Sequence, residues 1–339
     1  MEADGPPESP RLAAHLMLLG YRRTQCLGVA AELRLFDRLD LEPKTADELA
    51  HECGVDSRAL RRLVRAMVAM DLLVEDEGGR LRATPIGTYF ASDQLAPLAR
   101  YLTAPPAWRA WSRLGDSIRT GERGFDLEFG MRDWDFYAAH PDQGAIFDGA
   151  MRALTSPVAA SIMAAHDFSR YKRVADIGGG DGSLLIAILS AHPGIEGILF
   201  DREGVLERAA PRLRELGLGD RCQVVAGSFF EEVPGGADAY LLKWILHDWE
   251  DRDARRMLAA CRRAMATGTD LIVVERVAPD RIRPGDLELV LADLHMMVMN
   301  GGLERIESEF RELLAGCGFR LAAITDTGTP VSVLRAVAV

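Results

Sequence analysis

Lys172-Arg-Val-Ala-Asp-Ile-Gly-Gly-Gly-Asp-Gly-Ser183 is a short apolar strand that ends in an acid and then breaks into a turn carrying four glycines. The glycines at 178, 179, 180 and 182 remove every Cβ and admit positive φ, so a ligand can lie directly on the backbone where strand passes into helix. This combination points to a nucleotide-type cofactor.

A dinucleotide needs its pyrophosphate cradled at a helix N-terminus, and its fingerprint spaces the glycines as G-x-G-x-x-G. Here the third of those positions is Ser183. The clustered Gly178-x-Gly180-x-Gly182 instead follows Asp176, an acid on the strand itself, which suits a ligand with positive charge near the turn. S-adenosylmethionine carries an ammonium and a sulfonium and no phosphate. A second acid, Asp201, closes the next apolar run, Gly197-Ile-Leu-Phe200, close to the roughly 20-residue separation at which a carboxylate reaches ribose hydroxyls. Ribose binding alone does not separate the two cofactors. Arg202, beside that acid, is suited to the 2′-phosphate of NADP and keeps an NADP-dependent oxidoreductase as a rival reading.

The chain of 339 residues is long enough for two domains and a large core, and its 48% hydrophobic and 27% charged composition is ordinary for a globular protein. With 40 basic and 51 acidic residues the net charge is −11, which disfavours nucleic acid and anionic membrane as partners. Cys26, Cys53, Cys222, Cys261 and Cys317 are odd in number, widely spaced and without a C-x-x-C pair. They read as reduced thiols, neither a disulfide framework nor a zinc site. The acidic, proline-rich start lacks an apolar signal core, and no later stretch reaches about 18 uninterrupted apolar residues, so the expectation is a cytoplasmic protein with no membrane span.

Apolar residues at helical spacing run through residues 11–40, and Thr45 with Glu48 three residues on forms a capping-box pattern ahead of a helix that Gly54 ends. A second helix starts at Asp56 or Ser57, followed by two short strands around Gly78-Gly79, which together make a winged helix. Such a unit usually suggests DNA binding, but residues 44–82 hold seven basic against eight acidic side chains and offer phosphates no positive excess. Arg58, Arg61, Arg62 and Arg65 read as salt-bridged or solvated. Residues 96–171 look like a connecting helical region dense in large side chains, Trp134 and Met151 among them, a few of which could face a ligand at a domain interface. From 172 to the end, apolar runs at 173–177, 197–200, 222–226, 239–242, 270–277, 319–325 and 331–338 alternate with helical patterns. The alternation implies an α/β domain with a parallel sheet, and the last two runs imply a terminal antiparallel hairpin.

Four ordered segments carry a resemblance: Asp176-Ile-Gly-Gly-Gly-Asp-Gly182, Gly227-Ser-Phe-Phe230, Leu242-Lys-Trp-Ile-Leu-His-Asp-Trp249 and Gly301-Gly-Leu-Glu-Arg-Ile306. The chain resembles, over nearly its whole length, S-adenosylmethionine-dependent small-molecule O-methyltransferases of the plant caffeic acid and isoflavone type and of actinobacterial aromatic polyketide biosynthesis. The resemblance implies a Rossmann-like seven-stranded catalytic domain over residues 172–339, the connecting region 96–171 contributing to an acceptor pocket, and a winged-helix dimerisation domain over 11–95. It makes His247 the general base for a phenolic proton. An ordinary histidine, with a pKa near 6.5, is largely available as a base at neutral pH. Glu275 and Glu304 would flank it. Around S-adenosylmethionine the resemblance places Gly178, Asp201, Ser228, Phe229 and Lys243, joining Asp176 and Gly180 of the turn. At 228 the family usually has Asp, and Ser228 is a shorter, neutral acceptor. Met296 and Asn300 would face the acceptor. No metal is expected, and nitrogen methylation or a cofactor-assisted non-methyl reaction on the same scaffold stays open as an alternative.

Overall fold

The computed structural model describes residues 9–339. The chain divides into two compact units, one of Met1–Trp108 with Gly149–Ala153, the other of Arg109–Asp148 with Leu154–Val339. The stretch 96–171 is thus shared between the units.

In the first unit, β1 (Lys44–Thr45) leads into the helices Ala46–Cys53 and Ser57–Ala69, and β2 (Leu73–Glu75) and β3 (Arg80–Ala83) follow them, the three strands forming a small antiparallel sheet ordered β1-β3-β2. The capping box forms as the sequence predicts: Glu48 N donates to Thr45 Oγ1 at 3.2 Å and Thr45 N to Glu48 Oε2 at 2.7 Å. Gly54 ends that helix at φ +66°. Leu35, Phe36, Leu49, Leu60, Val64, Met67, Leu73 and Leu81 form the core of the unit. Arg61 Nη2 donates to both carboxylate oxygens of Asp47, at 2.7 and 2.8 Å.

The second unit is built on a seven-stranded sheet: β4 (Arg173–Ile177), β5 (Glu196–Asp201), β6 (Cys222–Ala226), β7 (Ala239–Lys243), β8 (Asp270–Glu275), β9 (Phe319–Asp326) and β10 (Ser332–Ala338). Their order is β6-β5-β4-β7-β8-β10-β9, parallel through β8, with the hairpin β9–β10 antiparallel at the edge. Every strand coincides with one of the apolar runs. All six residues of β8 are buried, because central parallel strands are covered on both faces. Alternation along β4 sends Val174 to one core with Leu185 and Leu206, and Ala175 and Ile177 to the other with Met257 and Phe310.

The chain winds outward from β4 through β5 to β6, then returns to place β7 on the other flank of β4. Strand order reverses between β4 and β7, and a doubly wound sheet binds ligands in the crevice that opens there, beyond the carboxyl ends of its strands. Gly178, Asp201, Ser228, Lys243, His247 and Glu275 all stand at those ends. No described helix is long and apolar enough to cross a membrane.

Candidate active site

The glycine turn is shaped by what crosses it. Gly178 and Gly179 donate to Phe200 O at 2.8 and 3.2 Å, which ties the turn to β5. Gly178 has φ +70°, and a Cβ there would meet Ile245 Cδ1 at 2.6 Å, with Phe229 Cε1 at 3.5 Å. A Cβ on Gly179 would lie 2.7 Å from the Asp176 carboxyl. At Gly180, φ +59°, the Cβ direction is open for 4 Å, so the turn presents bare backbone there. Gly180 N donates to Asp201 Oδ2 at 2.9 Å and Arg202 N to Asp201 Oδ1 at 2.7 Å, leaving each carboxylate oxygen further acceptor capacity. Burial pushes the Asp201 pKa up while those two backbone donors pull it back.

Asp176 is buried, its pKa pushed up to about 7 by burial against the pull of Lys243. Lys243 is pushed down to about 8 by burial; its Nζ donates to Thr155 Oγ1 at 2.8 Å and lies 3.9 Å from the Trp244 ring centroid. The positive partner of Asp176 within the protein is therefore this lysine. Phe229 makes edge contacts with Phe230 and Trp249 at 4.8 and 5.9 Å, an aromatic wall beside Gly178. Ser228 Oγ accepts from Phe230 N at 3.3 Å, so the short side chain stabilises its own turn.

Arg202 turns to Trp134: its Nη2 donates to Trp134 O at 3.1 Å and the guanidinium lies 5.7 Å from the indole centroid. Arg212 is held by Asp181 and Ser183 Oγ, both at 2.8 Å. The arginines near the turn are thus committed to protein partners, which removes the ground for a 2′-phosphate site. Trp134 Nε1 is buried with no hydrogen-bond partner among the described residues. A glycine floor, a carboxylate at the end of β5 and an aromatic wall fit S-adenosylmethionine, whose ribose and adenine need those groups and whose charge needs no phosphate cradle.

His247 lies in a short 3₁₀ turn, Leu246–Asp248, just past β7. Its Nδ1 is 3.0 Å from Glu304 Oε1 and 3.7 Å from Glu275 Oε2, and its Nε2 is 3.5 Å from Asp248 Oδ1. Glu275 Oε1 accepts from Ile245 N and Leu246 N, both at 2.9 Å, and so builds the turn as well as facing its histidine. Burial on its own lowers the His247 pKa, but Glu275, Asp248 and Glu304 outweigh it and raise the group to about 9. This corrects the expectation of an ordinary histidine largely neutral at pH 7. Burial raises Asp248 to about 7, with His247 pulling the other way.

The sequence reading missed what clamps this turn. Arg305, 1% exposed, donates to Leu246 O and Trp249 O at 2.7 Å each and pairs with Asp251 at 2.9 Å. Leu303 N donates to His247 O at 2.9 Å. An arginine inside a quoted motif was the available signal. Asn300 Nδ2 donates to Asp248 Oδ1 at 2.7 Å, acting on the histidine through that acid, while its backbone carbonyl accepts from Arg123 Nε at 2.7 Å. His295 Nδ1 accepts from the Trp111 indole N–H at 2.8 Å, which fixes its tautomer, and burial pushes its pKa down to about 4. Met296 is half-buried on the same helix, Leu287–Met299. Met151 falls in the segment grouped with the first unit.

A model of the O-methyltransferase domain matches residues 111–320, and one of the O-methyltransferase dimerisation domain matches residues 16–93. Phenazine O-methyltransferase PhzM of Lysobacter antibioticus is 38% identical over 323 residues, spanning 94% of this chain and 94% of that protein. The crystal structure of LaPhzM is similar with a TM-score of 0.92 at 37% identity, covering 98% of this chain and 100% of the other. NcsB1, an O-methyltransferase from neocarzinostatin biosynthesis crystallised with S-adenosylmethionine and 2-hydroxy-5-methyl naphthoic acid, is similar with a TM-score of 0.76 at 32% identity, covering 94% and 96%. The chain belongs to the family of S-adenosylmethionine-dependent O-methyltransferases, and carries that family's dimerisation domain.

Proposed function

We propose that the protein methylates a phenolic hydroxyl of an aromatic natural product, with His247 as the base. The observation that carries this reading is the buried His247–Glu304 hydrogen bond at 3.0 Å, standing at the carboxyl ends of the strands that also present Gly178 and Asp201. When bound, S-adenosylmethionine supplies an electrophilic methyl on its sulfonium. The turn at 178–182 and Asp201 would hold the adenosine, Phe229 would pack on its adenine, and Lys243 and Asp176 would support the floor beneath. His247 Nδ1 donates to Glu304, so Nε2 is the nitrogen that would take the phenolic proton as the methyl of bound S-adenosylmethionine passes to the oxygen, with S-adenosylhomocysteine as the other product. Orientation of the acceptor oxygen behind the methyl supplies much of the rate. By resemblance Met296 and Asn300 are assigned to the acceptor side, Asn300 also steadying Asp248, and Trp134 and Met151 are each assigned to the acceptor as large side chains of the connecting region.

His247, Glu275 and Glu304 bring donor atoms within 4.8 Å of one another, a spacing a metal ion could use. Glu304 Oε1 is taken by the imidazole N–H and Glu275 Oε1 by two backbone donors, while Glu275 Oε2 and Glu304 Oε2 are buried without a hydrogen-bond partner among the described residues; the reading of a hydrogen-bonded base and not a metal centre rests on the family, whose methyl transfer needs no metal. Residues 11–95 are assigned to homodimerisation, 96–171 to the acceptor pocket and 172–339 to catalysis, in a cytoplasmic enzyme that binds neither nucleic acid nor membrane. Light scattering tests the dimer, and a stable monomer at micromolar concentration counts against it. The test of function is incubation with S-adenosylmethionine and a panel of hydroxylated aromatics, read by mass for a methyl ether and S-adenosylhomocysteine together. Methylation confined to amines, or none with any acceptor, would overturn the reading.

A further inference from the structure

Arg276 follows Glu275 directly at the end of β8, and the sequence reading gave it no role. Its side chain is 14% exposed and bridges two acids of opposite setting. Nη2 lies 3.2 Å from Oε1 of Glu288, which is 70% exposed, and Nη1 lies 3.6 Å from Oε1 of Glu304, which is 1% exposed. That Glu304 oxygen is the one that accepts from His247 Nδ1. The guanidinium also sits 5.9 Å from the Trp244 centroid. Trp244 is held at φ +53°, a conformation a bulky side chain adopts only where its surroundings impose it, so the surface under the arginine is fixed.

The charges facing His247 come from every element around it. Glu275 comes from the end of β8 and Arg276 from the residue after it, Asp248 from its own turn, Glu304 from the segment after Gly301-Gly302, and the neutral His295 from the helix Leu287–Met299. Beyond Asp248 lies the buried Asp133. Three carboxylates around one imidazole favour its charged form, which is the wrong form for a base. Among the described residues, Arg276 is the arginine or lysine in ion-pair contact with those carboxylates.

We propose that Arg276 is a positioning residue of methyl transfer: by drawing on Glu304 Oε1 it lets that carboxylate orient the His247 ring without holding the ring's proton. The proposal rests on His247 being the base. It assigns Glu288 a counter-role, since an anion on the outer end of the guanidinium weakens what the inner end does to Glu304.

The experiment is an NMR titration of ring-labelled histidines in the full-length protein with S-adenosylhomocysteine present, the His247 signal being assigned by its loss in His247→Ala. Arg276→Ala should raise the His247 midpoint by about one pH unit, the low end for a charge at this range. Arg276→Lys should raise it less, and Glu288→Gln should lower it. In a Glu304→Gln background the shift from Arg276→Ala should shrink, because the two act through one oxygen. An unmoved or lowered midpoint in folded Arg276→Ala, or an undiminished shift without Glu304, would overturn the proposal. If Arg276→Ala does not fold, Glu288→Gln decides, and an unmoved midpoint there overturns it. Failure of the base assignment looks different: His247→Ala would turn over normally while the midpoints still moved.

Discussion

His247 Nδ1 and Glu304 Oε1 stand 3.0 Å apart in a buried hydrogen bond that joins residues 57 positions apart in sequence. A carboxylate has no proton to give, so the ring nitrogen donates and Nε2 is the nitrogen left to meet an acceptor. The same bond, with Glu275 and Asp248, overcomes the effect of burial and raises the histidine to about 9. With His247 as the proposed base, neutral imidazole is the active form, and it is lost as pH falls through the folded pKa. The pH profile of kcat/KM on any aromatic the protein methylates should therefore climb from neutrality with its midpoint near pH 9 and level only above that. Glu304→Gln removes one negative charge, so its rising limb should move to lower pH while its plateau falls for want of orientation. A wild-type limb centred at 6.5 would refute this electrostatic account.

Removing the base separates chemistry from binding. His247→Ala should keep its affinity for S-adenosylmethionine by calorimetry and lose turnover by roughly 10²–10⁴-fold, the usual contribution of a positioned base. EDTA should leave the wild-type rate unchanged. Activity abolished by the chelator would instead make the spacing of His247, Glu275 and Glu304 a metal site.

Asp201 joins β5 to the glycine turn through Gly180 N and is the proposed ribose ligand. Asp201→Ala should weaken S-adenosylmethionine by about 1–3 kcal/mol, the range for a charge-assisted hydrogen bond. Asp201→Asn keeps the shape, retains one acceptor and should lose less. Equal, unchanged affinities in both variants would remove Asp201 from the cofactor site.

The strands were legible because each is an apolar run, the central β4, β7 and β8 buried on both faces, and the glycine turn because its residue types have few other uses. Proximity was not. Glu275 and Glu304 reach His247 from the end of β8 and from the segment after Gly301-Gly302, and no periodicity records that convergence. Nor did the sequence display the pKa of His247, which is set by three carboxylates brought together only by folding. Arg202 was ambiguous for the same reason: its partner Trp134 lies 68 residues away. Asn300 carried an expectation of acceptor contact, and its amide is bonded to Asp248, a partner that only the fold supplies.

Gly302 gives the sharpest steric test of how the turn is held. A Cβ there would stand 1.8 Å from His247 O and 2.6 Å from Asp248 C, both backbone atoms that no rotamer change can move aside. Gly301 differs: at φ +77° its Cβ would meet the Arg123 side chain at 2.4 Å, a flexible group. In Gly302→Ala the turn Leu246–Asp248 must shift against Arg305 and the Leu303 N–H that grip its carbonyls. Overpacking of this kind costs about 1–3 kcal/mol, and thermal melts should fall by several degrees. Turnover should fall further than stability implies, by about 10²-fold, because a displacement near 1 Å at a reacting nitrogen is enough for that loss. Measured well below the melting temperature, a Gly302→Ala protein with normal kcat would mean that the close approach of residues 302 and 247 does not set the position of the base.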